Sequence, residues 1–112
     1  MCIGDPVIIE PGLYLPHGQV VVDGIVVIGR NAVLFPWTTI GLRANVPLGP
    51  TLGEHVHVGT GAKLIGPIKI GDNVMIGANA VVTSDLPADS VAVGIPAVAR
   101  PRLGSATSLA SA

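Results

Sequence analysis

The sequence predicts an all-β fold, a parallel solenoid wound from six-residue units, and three observations carry that prediction. The first is an aliphatic residue at every sixth position: Ile28, Leu34, Ile40, Val46, Leu52, Val58, Leu64, Ile70, Ile76 and Val82. The second is glycine directly after six of those ten residues, at Gly29, Gly41, Gly53, Gly59, Gly71 and Gly77. The third is a scarcity of large rings, with one Trp, one Tyr and one Phe among 112 residues that include 15 Gly and 10 Pro. An amphipathic helix needs apolar residues at i, i+3, i+4 and i+7, and a half-buried strand needs strict alternation. Neither period is present. A short strand that turns one aliphatic residue inward, a sharp bend and a further strand do meet the spacing. Glycine suits the bend because it enters backbone regions closed to other residues. Three units close a triangular coil, and each coil buries its aliphatic residues only against its neighbours. A β-sandwich would share the frequent turns but has no reason to hold a six-residue register.

Taken in order, residues 1–15 are irregular, with Pro6, Pro11 and Gly12, while Ile8, Ile9, Leu13 and Leu15 supply a first partial coil. Pro16-His17-Gly18 reads as a turn between two apolar strands. Val20 to Ile28 resumes the solenoid, and a slip or bulge is expected between His17 and Ile28, where the interval is not a multiple of six. The fifth place of each unit is small or branched, as at Ala32, Thr38, Val56, Ala62, Val74 and Ala80. Val46 to Thr51 fits the register, but two prolines and a glycine there predict an outward loop. Leu52 to Val81 is the most regular stretch, with Asp72-Asn73 at a corner. Pro87 ends the units, and Val91 to Pro96 predicts a last strand and turn, with Arg100 and Arg102 beyond it. One domain is expected over 1–103, followed by a small, polar and disordered tail over 104–112.

Composition narrows the function classes. A net charge of −1 with scattered Lys and Arg leaves no basic stripe, which argues against nucleic acid. Charged residues make up only 12% of the chain, low for a lone soluble surface, so some faces are expected to be covered by other subunits. Cys2 is the single cysteine, which excludes an internal disulfide. No basic segment precedes a long apolar run and no stretch is long enough to span a bilayer, so no membrane association and a cytoplasmic location are expected.

The run Ile-Gly-Asp-Asn-Val-Met-Ile-Gly-Ala-Asn-Ala-Val-Val-Thr at 70–83, then Asp85-Leu86-Pro87 and Val93-Gly94-Ile95-Pro96-Ala97, resembles the hexapeptide-repeat acyltransferases. It resembles in particular the C-terminal half of the serine O-acetyltransferases, over about Leu13 to Arg102. The resemblance implies a single-stranded left-handed parallel β-helix of hexapeptide repeats, an exception to the usual right-handed crossover. It also implies a homotrimer with active sites between subunits. The implied reaction moves an acetyl group from acetyl-CoA to a hydroxyl, less readily an amine, of a small-molecule acceptor, with no metal.

By the same resemblance His17, in the early turn Leu13-Tyr-Leu-Pro-His-Gly, is the general base, a role that suits neutral imidazole. Donors to the oxyanion are expected among backbone N–H groups or at Trp37 or Thr39. For acetyl-CoA the resemblance implies Thr60, Gly61 and Ala78 along the pantetheine arm, Thr83 and Ser84 in place of a Thr-Lys pair, and Arg100 or Lys63 at the phosphates. The pattern departs from the family at two points. Pro16 stands where serine acetyltransferases carry Asp, and Leu48-Gly49-Pro50 stands where they carry Arg-His-Pro. The resemblance therefore extends to acyl transfer and leaves the acceptor open. Two other readings remain at this point. His55, His57 and His17 could form a metal site like that of the γ-class carbonic anhydrases. Alternatively, the chain could be a non-catalytic, structural β-helix.

Overall fold

The computed structural model describes residues 2–3, 7–15, 19–42 and 48–101. The early strands are β1 (Cys2–Ile3), β2 (Val7–Ile9), β3 (Val21–Val22), β4 (Ile25–Ile28), β5 (Val33–Leu34) and β6 (Thr39–Gly41). They are followed by β7 (Leu48–Leu52), β8 (His57–Val58), β9 (Lys63–Ile65), β10 (Lys69–Ile70), β11 (Met75–Ile76) and β12 (Val81–Val82). A hairpin of β13 (Ser90–Gly94) and β14 (Ala97–Pro101) ends the described chain. No helix among the described residues is long and apolar enough to cross a membrane.

Three sheets form the faces of a prism measuring 38 × 26 × 20 Å. The first face is β1-β3-β6-β9-β12, the second β2-β4-β7-β10, and the third β5-β8-β11-β13-β14. The chain visits the second, third and first faces in turn, so strands consecutive in sequence never pair until the final hairpin. Every pairing is parallel except β13 with β14. The regular coil is 18 residues, as in the partners His57 and Met75 or Lys63 and Val81.

The aliphatic first-place residues are the core: Ile28, Leu34, Ile40, Leu52, Val58, Leu64, Ile70, Ile76 and Val82 are all at most 4% exposed. Fifth-place Ala32, Val56, Ala62, Val74 and Ala80 fill the corners between them. A prism this narrow has no room for rings, and the chain's three aromatic residues are all outside it. Second-place glycine is required by the stacking of corners. A Cβ on Gly59 would lie 2.7 Å from the Ala78 nitrogen and 2.8 Å from the Ile76 oxygen, backbone atoms that have no way to yield.

The structure bears on three local expectations. Tyr14 pairs with Val33 and Val21 with Thr39, so one extra residue lies between Tyr14 and Val21, a stretch that overlaps the interval where a slip was expected. After Val21 the register runs unbroken to Ile28. The outward loop predicted over Val46 to Thr51 is misplaced, because Leu48 to Thr51 belong to β7, with Gly49 and Pro50 buried. Pairing of Ile25 with Leu48 but Val27 with Thr51 marks a bulge at Gly49–Pro50, where proline has no N–H to give the ladder. Thirdly, Val91 to Pro96 is a strand and turn as expected, but β14 then folds back antiparallel and closes the end of the third face. His55 occupies a corner and His57 opens β8. Val46 and the tail 104–112 lie outside the described residues.

Candidate active site

Four of the ten expected site residues, Trp37, Thr60, Gly61 and Ala78, lie on the edge between the third and first faces. The chain crosses this edge once per coil through a tight corner, and successive corners dock through backbone hydrogen bonds. Trp37 N–H donates to the Gln19 carbonyl, Gly61 N–H to Pro36 at 3.0 Å, and Asn79 N–H to Thr60 at 2.8 Å. Gln19, Trp37, Thr60–Gly61 and Ala78–Asn79 thus form a row that climbs one coil, about 4.8 Å, per step. His17 lies outside the described residues, with Leu15 and Gln19 the nearest described residues on either side. Thr39 and Lys63 are direct partners on β6 and β9, just past the edge. The Lys63 ammonium donates to the Gly61 carbonyl at 3.0 Å, which brings a positive charge to the row.

The fourth place of six described units takes a left-handed backbone, while Gly49, Pro67 and Asp85 at the same place do not. Asn31, His55, Asn73 and Asn79 have φ between 56° and 58°, and Gly61 has 75°. Glycine and asparagine enter this region readily. His55 and Trp37 depart from that preference, and Trp37, with φ 67° and a side chain 66% exposed, is the bulkier. Holding a bulky residue in this conformation costs about 1–2 kcal/mol. Beneath it Thr38 is buried, and its hydroxyl donates to the Phe35 carbonyl at 2.8 Å, with a longer contact of 3.4 Å to that of Gly59. Thr38 was not among the expected site residues. Its only signal in the sequence is a hydroxyl at a fifth place that other units fill with apolar side chains.

Other expected residues are not brought to this row. Thr83 and Ser84 are exposed and follow β12 on the edge between the first and second faces. Arg100, on β14, pairs with Val91, which pairs with Met75; this places it at the entry side of the third face, away from the Ala78 corner. His55 lies on the edge between the second and third faces, where its N–H donates to the Arg30 carbonyl at 2.8 Å. His57 is half-buried between Val33 and Met75. No group of three or more His, Cys, Asp or Glu among the described residues could hold a metal ion. A Cβ on Gly49 would lie 2.6 Å from Val26 Cγ2, so the position where the family carries its second histidine is here closed by packing. A shallow depression of about 600 Å³ on the second face, bounded by Thr51, Lys69, Asp85 and Pro87, includes none of the expected site residues.

Comparison with known proteins bears on the family and the fold. Residues 49–84 match the sequence model of the bacterial transferase hexapeptide, six repeats. The chain is similar to a serine acetyltransferase of Helicobacter pylori strain J99, 47% identical over 89 residues that cover 77% of this chain and 52% of that protein. One from Synechococcus elongatus is 41% identical over 88 residues, covering 76% of this chain and 36% of that protein. Among solved structures, Neisseria gonorrhoeae serine acetyltransferase superposes with a TM-score of 0.82 at 30% identity, covering 95% of this chain and 43% of that one. The same enzyme in complex with serine gives 0.77 at 34% identity, over 82% and 39%. A serine acetyltransferase in complex with CoA gives 0.69 at 29% identity, over 88% and 38%. The chain thus spans about half the length, or less, of the relatives it matches. Its fold is the left-handed parallel β-helix.

Proposed function

Since the chain carries the bacterial transferase hexapeptide repeat and is related along most of its length to the serine acetyltransferases, we propose that it is a CoA-dependent O-acetyltransferase. It moves the acetyl group of acetyl-CoA to a hydroxyl of a small molecule. The observation that carries this reading is the row on the edge between the third and first faces. Trp37, Thr60–Gly61 and Ala78 stand in consecutive coils next to Gln19, two residues beyond His17.

In this reading the pantetheine arm runs along Thr60, Gly61 and Ala78, with its thioester toward the early coils. His17 takes the acceptor hydroxyl's proton as the oxygen attacks the thioester carbonyl. The new C–O bond forms, the C–S bond breaks, and the departing thiolate takes the proton back from the imidazolium. Transfer is direct, with no acyl-enzyme. The backbone N–H of Trp37 is already committed to Gln19, so the oxyanion is stabilised by other donors, among which the Thr39 hydroxyl and the Lys63 ammonium flank the row. Arg100, Thr83 and Ser84 could reach CoA only at its distal end or on a neighbouring subunit. The chain works as a homotrimer, supported by exposed apolar residues such as Ile8, Leu48 and Val98, at 51% or more. A cytoplasmic setting belongs to the same reading.

Calorimetry with acetyl-CoA, then thiol release against serine, homoserine and a sugar panel with wild type and His17→Ala, tests the proposal. Binding together with acceptor-dependent release that His17→Ala abolishes supports it. A folded protein that does not bind CoA overturns it.

A further inference from the structure

The chain holds two lysines, Lys63 and Lys69, both exposed, and their surroundings differ. Lys69 lies on the second face beside Asp85, whose carboxylate accepts the Lys69 backbone N–H at 2.9 Å. Lys63 lies on the first face between Thr39 and Val81, its pairing partners on β6 and β12. Neither neighbour carries a charge. The Lys63 ammonium turns back across the corner and donates to the Gly61 carbonyl at 3.0 Å, an uncharged acceptor.

That carbonyl stands in the site row. Neighbouring corners dock through the Gly61 N–H and the Thr60 carbonyl, so stacking leaves the Gly61 carbonyl to the lysine. An amine is thereby held at the middle of the row, with the Trp37 corner one coil before it and the Ala78 corner one coil after, each step about 4.8 Å. A single bond to a carbonyl, made at the end of a flexible four-carbon stem, leaves the nitrogen able to swing along the row.

We infer that Lys63 is a self-acetylation site: when acetyl-CoA is bound and no acceptor is present, the Lys63 amine takes the acetyl group. The inference rests on the proposed acetyl transfer, which supplies the course of the pantetheine arm. An arm laid along Ala78 and Thr60–Gly61, with its thioester toward the early coils, brings the acyl carbon past the Lys63 nitrogen. The ammonium first gives one proton to water. The free amine then attacks the thioester carbonyl, the N–C bond forms, the C–S bond breaks, and the departing thiolate takes the second proton. The products are N-acetyl-lysine and CoA. Lysine amines are targets of acetylation, and holding amine and thioester in one site replaces a slow bimolecular encounter. The modified side chain has lost its charge and leaves an acetamide in the row.

The wild-type protein is incubated with acetyl-CoA and no acceptor, and acetylation of both lysines is followed by site-resolved peptide mass spectrometry. Lys69 is the internal control, also a surface lysine but on another face. Lys63 should react at least about tenfold faster, since only its amine meets a bound thioester. Excess desulfo-CoA should slow Lys63 to the Lys69 rate. Acetyl phosphate, which carries an acetyl group without the pantetheine arm, should acetylate the two at comparable rates. Lys63→Arg, which keeps a donor and removes the amine, should leave only the slow reaction at Lys69. Equal rates at the two lysines with acetyl-CoA overturn the inference. So does a Lys63 preference that desulfo-CoA leaves intact or that acetyl phosphate reproduces, because the amine would then react without delivery. Loss of acetyl-CoA binding in Lys63→Gln, with no acetylation of the wild type, also overturns it and makes Lys63 a phosphate ligand. Calorimetric binding of acetyl-CoA to the wild type alongside any of these failures leaves acetyl transfer standing. Absent binding removes the transfer reading, and this inference with it.

Discussion

The hydroxyl of buried Thr38 donates to the carbonyl of Phe35 at 2.8 Å, three residues back across the corner that presents Trp37. Ser90, also buried, makes the same bond to Pro87 at 2.7 Å. Thr38 occupies the fifth place of a unit whose second place is Phe35, and Ser90 the equivalent place in a shortened coil of 16 residues, where Leu86 pairs with Ile70 and Ala92 with Ile76 and Pro87 stands second. At the glycine corners the backbone does this work, with Ala62 N–H donating to Gly59 at 3.1 Å and Ala80 N–H to Gly77 at 3.3 Å.

Thr38→Val keeps the shape and removes the donor, leaving the Phe35 carbonyl without its side-chain partner. A loss of about 1–2 kcal/mol is expected in chemical denaturation. Thr38→Ser should recover most of it, because the hydroxyl returns.

Trp37→Asn should move stability the other way. Asparagine enters the left-handed region at lower cost, so a gain of about 1 kcal/mol is expected in the same assay. A decrease would mean that the indole packs against something that stabilises the fold.

Gly59→Ala sets a Cβ against the backbone of the next coil. A destabilisation of about 2–3 kcal/mol or more is expected, from overpacking without a flexible neighbour to absorb it. Gly41→Ala is the internal control, since its nearest neighbour is the Thr39 side chain at 3.6 Å, an ordinary contact.

Leu64→Ala empties a fully buried site in the middle of the stack and should cost about 2–5 kcal/mol. Because each coil holds its neighbours, loss of hydrogen-exchange protection should spread to the partner strands β6 and β12.

If His17 is the base, it works only when neutral. Acceptor-dependent kcat/KM should therefore fall on acidification as the imidazole takes up a proton. His17→Ala should lower the rate by about 10²–10⁴. A flat profile down to pH 5 in the wild type would assign the proton transfer elsewhere.

The coil architecture was legible because one physical constraint repeats: each unit must turn an aliphatic residue into a narrow prism, and Ile28, Leu52 and Ile76 show it directly. Departures from strict repetition were harder to see. Pro47, Gly49 and Pro50 look like a loop to any local rule, yet Gly49 and Pro50 are buried because Val26 and the neighbouring coil lie against them. The antiparallel turn-back of β14 left no mark, since Ala97 to Pro101 carries no period of its own. The site row was partly legible. Trp37, Thr60, Gly61 and Ala78 fall on one edge because their places in the unit are the corner places. Arg100, Thr83 and Ser84 were assigned by the same resemblance as Thr60, Gly61 and Ala78, but they lie away from this edge. Thr38 was missed because a single buried threonine resembles any other small corner residue until its partner carbonyl is known.

The long third coil has a consequence for how this molecule tolerates change. Ile25 pairs with Leu48, an offset of 23, and Val27 with Thr51, an offset of 24, so the chain between Ile25 and Leu48 is five residues longer than a regular coil and the bulge at Gly49–Pro50 adds the sixth. Downstream, Val33 and His57 or Thr39 and Lys63 keep the offset of 24, one whole unit more than the regular coil. The bulge acts as a phase corrector. Without it every later side chain would be turned by one residue, core outward and surface inward. Segments inserted at this point are interchangeable in steps of six, and any other length needs its own correction.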